Sequence, residues 1–270
     1  MPTIIDEPID ETLTGLLEGA DGPLYAVGPS ETVIEELVDV GTGLDDPPEI
    51  RLLAAESTLK TVVDDFLVAG HAADLVAEGT LLLRTVESPP GNDLVVSEED
   101  VSAVVLAGST SAALSTDDAG FVDEAHAFYH DAWEGAEEFS LRTPPLSRVR
   151  ATLASDIGPD AEADFDAVLA SLETARGDGD GLDEVTISLL VAAKNQELLY
   201  DISKWGEDVG IASKATFSRT KTELEDLGLL DTEKVPIDVG RPRLRLKFGN
   251  EKLQSASSDE LASVAQSLIA

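Results

Sequence analysis

The chain contains no cysteine, a single methionine, three histidines and only 18 lysines and arginines in 270 residues. The absence of cysteine removes disulfides, thiol nucleophiles and thiolate-held metals together, and it fits a cytoplasmic setting. Nowhere does an apolar run approach the roughly 18 consecutive residues that a membrane span requires. The opening Met-Pro-Thr-Ile-Ile-Asp-Glu-Pro has no basic stretch leading into an apolar one, so neither an export signal nor a membrane partner is expected.

What the chain has in excess is carboxylate: 54 Asp and Glu, for a formal net charge of -36. The excess is uneven, because residues 1–180 hold 39 acids and 7 bases whereas residues 181–270 hold 15 and 11. Such a surface repels nucleic acid and itself at low ionic strength, but at molar salt the Debye length falls to ~3 Å and the repulsion is screened. Few lysines, few large aromatics and many Asp, Glu, Ala and Val mark the chain as halophilic, although an acidic partner-binding surface would give a similar count. At 43% hydrophobic over this length the chain can bury a full core, and two domains are expected.

The less acidic C-terminal third carries the most specific pattern. Residues 198–230 read as two short helices around a turn at Gly210, the first bracing the second for entry into a DNA groove. Ser213 can cap the second helix. Lys214, Thr216, Phe217, Ser218, Arg219 and Lys221 follow on it as candidates for the major groove, with Arg219 on phosphate or base according to helix phase. Two strand-like runs come next, 229–235 and 241–248, joined by Pro236-Ile-Asp-Val-Gly240 in the outline of a hairpin wing. The second alternates strictly, with Arg243, Arg245 and Lys247 on one face and Leu244, Leu246 and Phe248 on the other. Together with Arg241 these make four bases and no acid between Val239 and Asn250. The bland reading is a charged edge strand that blocks edge-to-edge pairing. The functional one is a wing that holds phosphate or reaches the minor groove, where Gly240-Arg-Pro242 resembles a minor-groove-binding core. Helix and wing point to the same partner, double-stranded promoter DNA. Since phosphate contacts weaken steeply as salt rises, a halophilic reader needs more base-edge contact or two readers on one operator.

The acidic N-terminal part alternates strand and helix signals: strands at 24–27, 50–54 and 81–86, helices at 31–40 and 59–67. This is the rhythm of βαβ units with a mostly parallel sheet covered on both faces. Strand signals at 93–97, 101–107 and 112–114 and a long helix at 120–137 follow, with strand polarity there left open. In a parallel sheet a ligand is expected beyond the carboxyl ends of the strands, where helix N-termini meet an anion. Gly28, Ser30, Ser57, Thr58 and, less directly, Ser109 could converge there, with Arg84 as an anion clamp for a small metabolite such as a sugar phosphate. The bland alternatives are that Ser30 and Ser57 are helix caps and that residues 108–110 form a hairpin turn.

Signals for catalysis are thin, and no cofactor is implied. Acids are so abundant that neighbours such as Asp64 and Asp65 carry no information. His126, His130 and Glu134 have a spacing that could hold a metal, but an apolar stripe through Phe121, Ala125, Phe128 and Ala132 turns His130 and Glu134 to solvent. Gly41-Thr-Gly43 lacks a third glycine and a preceding strand, so it is no nucleotide fingerprint.

On Ser213-Lys-Ala-Thr-Phe-Ser-Arg219, on Val239-Gly-Arg-Pro-Arg-Leu-Arg-Leu246 and on residues 94–106 with 121–139, the chain resembles the haloarchaeal transcriptional regulators of the TbsP family. The last segments are also similar to the effector domain of TrmB-type sugar-responsive regulators, whose fold is phospholipase-D-like. Enzymes of that fold use a His-x-Lys motif, and His71-Ala-Ala73 lacks the lysine. The resemblance implies a sensor without the hydrolase chemistry. The expected organisation is an α/β effector-sensing or dimerisation domain at 1–140, a helical connector and linker at 141–181, a winged helix-turn-helix at 182–250 and a C-terminal helix at 251–270. A homodimer would form through 146–175, with Val149, Leu153, Phe165, Val168, Leu169 and Leu172, or through the tail with Leu261, Val264, Leu268 and Ile269, unless both pack within the chain. The resulting reading is a non-enzymatic, metabolite-modulated regulator of metabolic genes. A protein-binding interaction module and an enzyme acting on a phosphorylated metabolite are the alternatives.

Overall fold

The elements were read from a computed structural model, which describes residues 8–108, 110–172, 174–176, 181–237 and 242–269. They divide into two units, one of residues 1–64 and 71–141, the other of residues 65–70 and 142–270.

The first unit follows the order α1 (Ile9–Glu18), β1 (Leu24–Val27), α2 (Glu31–Gly43), β2 (Ile50–Ala54), α3 (Glu56–Val62), α4 (Phe66–Glu78, whose residues up to Gly70 belong to the second unit), β3 (Leu81–Thr85), β4 (Asp93–Val96), β5 (Val101–Ala107), β6 (Thr110–Thr116), α5 (Ala119–Gly135) and β7 (Glu137–Glu138). All seven strands form one mixed sheet in the order β6-β5-β4-β1-β2-β3-β7. It is parallel at its centre, β1 beside β2 and β2 beside β3, where apolar runs feed crossover helices. The polarity that the sequence leaves open is antiparallel: β4 to β1, β5 to β4, β6 to β5, and β7 to β3. All four residues of β1 are buried, as a strand covered on both faces requires. Tyr25, Val27 and Leu53 face α5, packing with Val122 and Trp133.

The phase of α5 departs from expectation. Val122 and Trp133 are its buried residues, with Ala125, Tyr129 and Ala132 packed beside them, whereas Phe121 and Phe128 are 53% and 66% exposed. The stripe is one residue out of phase because the larger rings take the sheet. Trp133 lies edge-on to Tyr25 at 6.3 Å and under the Arg84 guanidinium at 4.6 Å.

The second unit contains α6 (Leu146–Asp156), α7 (Pro159–Ala170), α8 (Glu184–Lys194), α9 (Leu199–Val209), α10 (Lys214–Asp226), β8 (Leu230–Val235), β9 (Arg243–Phe248), α11 (Glu251–Ser255) and α12 (Leu261–Ile269). At its centre lies α8, whose residues from Val185 to Ala193 are buried all round. Here α6 and α7 are no connector. Val149, Leu153, Phe165, Val168 and Leu169 lie in one core with α8, α9 and α10, so they are spent within the chain and cannot also form a dimer seam. In α12, Leu261, Ala262 and Ala265 are buried in that core, and Val264, Leu268 and Ile269 pack against it while staying partly exposed. Polar ties support the packing: Trp205 Nε1 donates to Thr152 Oγ1 at 3.0 Å, and Asp164 accepts from Asn195 and Ser258.

Asp65 also has a role that its acidic surroundings conceal. It is 2% exposed, and Oδ1 accepts the backbone N–H of Leu67 at 2.9 Å, capping α4 and ending the helix expected at 59–67. Its Oδ2 accepts from Ala175 N at 3.2 Å and lies 3.4 Å from Arg176 Nε, while Phe66 donates its backbone N–H to Ala175 and its ring meets Phe165. We expect Asp65→Ala to cost about 3 kcal/mol, because one buried carboxylate satisfies a helix start and a distant loop together. Denaturant unfolding in molar KCl, followed by helical circular dichroism, should show the loss, and an unchanged midpoint would contradict the assignment.

Candidate nucleic-acid interface

The turn between α9 and α10 is fixed by three local features. Gly210 closes α9 in the left-handed region at φ 100°, which a glycine adopts without strain. Ser213 caps α10, its Oγ accepting from Thr216 N at 3.2 Å. Gly206 faces the Phe217 ring so closely that a Cβ there would overlap it, and this contact lets the two helices cross.

Around α10, Phe217, Thr220, Lys221 and Leu224 turn inward. Phe217 is fully buried and Lys221 is 8% exposed, with its Nζ on Glu225 at 2.7 Å. Neither is available to a DNA groove, contrary to the expectation from sequence: the α9 crossing takes the ring, and Glu225 takes the amine. The outward face carries Ala215, Ser218, Arg219 and Thr222, all exposed. Lys214 lies on one flank and Thr216 on the other, so the candidates of α10 divide into an outward face, two flanks and a buried face.

The wing forms as a hairpin, but burial along β9 does not follow the expected alternation: only Leu246 is buried, and its other five residues, basic and apolar alike, are half-buried. Antiparallel β8 and β9 pair Thr232 with Leu246, and Leu246 is buried in the core with Phe248 packed against it. The Leu246 N–H donates to the carbonyl of Glu197, so β9 also touches the short stretch ahead of α9. Arg241 and the rest of 238–241 lie outside the described residues, and with them the Gly240-Arg-Pro242 reading. Arg243 stacks its guanidinium over Tyr200 at 3.6 Å, with Asp201 at 3.5 Å. Arg245 is half-buried, its Nε enclosed. Lys247 pairs with Glu233.

A single groove gathers Tyr200, Lys214, Ser218, Ile237, Pro242 and Arg243 from α9, α10 and the wing. Sequence reading missed Tyr200 and Ile237. Their signal is that a large aromatic and a branched residue stay 46% and 41% exposed in a chain poor in aromatics. A tyrosine under an arginine, beside a lysine at a helix start and a serine one turn on, can hold phosphate and bond to a base edge.

The electrostatics are less simple than a basic patch. Lys214 Nζ meets Glu207 at 2.5 Å, and the same carboxylate lies 3.3 Å from the Lys214 backbone N–H. The bond from Lys214 holds the Glu207 carboxyl below its usual range, and Lys247 does the same to Glu233. Glu197 is pushed up by burial and by Asp201, with Arg245 opposing.

The expected ligand residues of the first unit are not assembled into an anion site. The Ser30 N–H and hydroxyl both donate to Asp93, at 2.9 and 3.0 Å, so a carboxylate of the chain already occupies the start of α2. Gly28, at φ 63°, lies against Pro90, where a side chain would collide with the Pro90 carbonyl. Ser57 does not cap α3, whose cap position is Ala55, and Thr58 follows inside the first turn. Arg84 donates to the Trp133 carbonyl at 2.5 Å, tying α5 to the sheet instead of clamping a ligand. Ser109 lies outside the described residues. Tyr25 joins the two polar groups over the sheet, its hydroxyl accepting from Arg51 at 2.8 Å and bonding His130 Nδ1 at 2.9 Å.

A three-helix reader with a β-hairpin wing, and between them a largely apolar, aromatic-floored groove edged by Lys214, Ser218 and Arg243, is the anatomy of a winged-helix DNA-binding protein. Family comparison names the kind: the transcriptional regulator TbsP-like N-terminal model matches residues 1–144, and the TbsP-like C-terminal HTH domain model matches residues 145–266. The chain belongs to the TbsP-like transcriptional regulators. No curated protein matches it. Among solved structures it is similar to TrmBL2, described as an archaeal chromatin protein with a novel mode of DNA binding, at 15% identity and a TM-score of 0.36, over 51% of this chain and 54% of that one. It is also similar to NucT from Helicobacter pylori, at 9% identity and a TM-score of 0.34, over 52% of this chain and 99% of that one. The chain thus spans about half the length of TrmBL2, and at these scores neither neighbour carries weight for function.

Gly206→Ala should destabilise the second unit by about 1–3 kcal/mol, since the added methyl meets a ring with no room to move and this outweighs the gain in helix propensity. Thermal unfolding in molar KCl measures it; a variant at least as stable as wild type would show that the helix crossing tolerates a side chain.

Proposed function

We propose that the chain is a sequence-specific regulator of metabolic genes in a halophilic archaeon, acting in the cytoplasm on promoter DNA. The observation that carries this reading is the groove in which Tyr200, Lys214, Ser218 and Arg243 meet beside the exposed Arg219 on the outward face of α10. In the mechanism, α10 enters the major groove with Ser218 and Arg219 toward base edges, Lys214, Arg243 and Lys247 hold phosphate, and Tyr200 keeps Arg243 in place. Regulation is by occupancy of a promoter.

Two further parts belong to the proposal. A homodimer would set two such heads on one operator, through a surface other than the faces of α6, α7 and α12 already buried in the chain. A small metabolite would bias the arrangement of the heads through the α/β unit, to the extent that it binds one arrangement better. Supporting this division of labour, the α/β unit has its own core and supplies none of the groove residues.

In cells at native salt, wild type should give discrete promoter peaks in genome-wide occupancy, and Arg219→Ala with Arg243→Ala should lower them at least tenfold, each lost contact being worth about 1–3 kcal/mol. Comparison across carbon sources tests the metabolite part. Wild-type occupancy without discrete peaks would overturn the reading.

A further inference from the structure

The cations of the reading head are not bare. Lys214 is on Glu207 at 2.5 Å, Arg243 is beside Asp201 at 3.5 Å and Lys247 is on Glu233. All three acids are exposed or nearly so, and exposed pairs of this kind hold little stability, so they can be given up. Lys221 with Glu225 differs, being enclosed, and stays paired.

Glu207 has a particular position. By meeting both the backbone N–H and the ammonium of Lys214 it occupies the start of α10, where a DNA phosphate would accept the same two donors. A phosphate arriving at Lys214 therefore displaces a carboxylate, not water alone. The ordinary account of salt dependence assumes cations without protein partners: each phosphate neutralised frees condensed counterions, and log affinity falls by about 0.9 per phosphate for each tenfold rise in salt. Here the freed carboxylate is left next to a polyanion and needs a cation of its own. One monovalent ion leaves the DNA and about one is taken up by the protein.

We propose that DNA binding by this chain is coupled to uptake of monovalent cations, with Glu207, Asp201 and Glu233 as the acceptors that exchange their lysine or arginine partner for a solvent ion when phosphate binds. This rests on the DNA-reading function above and deepens it. The device lets an acidic reader work in concentrated salt without additional base contacts. Each exchange conserves charge locally, so three phosphate contacts that would otherwise cost a slope of about -2.7 leave a slope near zero.

The test is binding of the full chain to a promoter duplex recovered by occupancy, and to an unrelated duplex of equal length, in KCl from about 0.1 to 1 M, by fluorescence anisotropy. Wild type should change affinity by less than about fivefold, or bind more tightly as salt rises. The variant Glu207→Gln, Asp201→Asn, Glu233→Gln should bind more tightly at low salt and lose roughly 500-fold across the same range, as three unpartnered cations require. A control with the same charge change on the first unit, Glu18→Gln, Asp45→Asn, Asp46→Asn, should keep the wild-type slope. A steep negative slope in wild type overturns the coupling and leaves the DNA reading intact. Equal slopes in variant and control overturn the assignment to these acids. Absence of binding at every salt concentration overturns the DNA reading and the coupling with it.

Discussion

The reading head depends on one contact, the ring of Phe217 against the bare Cα of Gly206. It sets the distance between α9 and α10, and the distance sets which residues of α10 point outward. With Phe217 inward, the helical period places Ser218, Arg219 and Thr222 outward and Lys214 on the flank that meets the wing. Gly210 and Ser213 only make the turn affordable; the ring fixes its register. The wing is anchored in the same core through Leu246 and through the carbonyl of Glu197, so helix and hairpin are positioned by one packed body.

On this scaffold the chain faces an electrostatic problem of its own making. A net charge of -36 opposes approach to DNA. Concentrating 11 of the 18 bases in residues 181–270 is part of the answer, and pairing them with neighbouring acids is the other part. The pairs hold the long side chains in place before a partner arrives. Arg243, laid over Tyr200 with Asp201 beside it, is the clearest instance, because stacking orients the planar guanidinium.

Most of the head was legible in the sequence because its signals are local. A glycine at a turn, a serine before a helix and a strand-rich hairpin each need only a few neighbours, and Gly210, Ser213 and the pairing of β8 with β9 follow them, although along β9 only Leu246 is buried. What failed depends on distant partners. Phe217 reads as a reader until Gly206 is known to lie across from it. Ser30 reads as an open anion site until Asp93, 63 residues on, is seen to fill it. Asp65 is one acid among 54 until Ala175 is seen to bond it. The same blindness affects helices without a stripe: α8 is apolar on every side, so periodicity offers no face to assign. In α5 two candidate stripes lie one residue apart, and only the contacts of Trp133 with Tyr25 and Arg84 decide between them.

The central claim is that DNA is held in the groove between α10 and the wing. Amide hydrogen exchange of the full chain in molar KCl, with and without a promoter duplex, tests it most directly. The account predicts slowed exchange at the start of α9, through α10 and along β9, with the α/β sheet changed little. Protection confined to the α/β unit, with α10 and the wing unaffected by bound duplex, would contradict it.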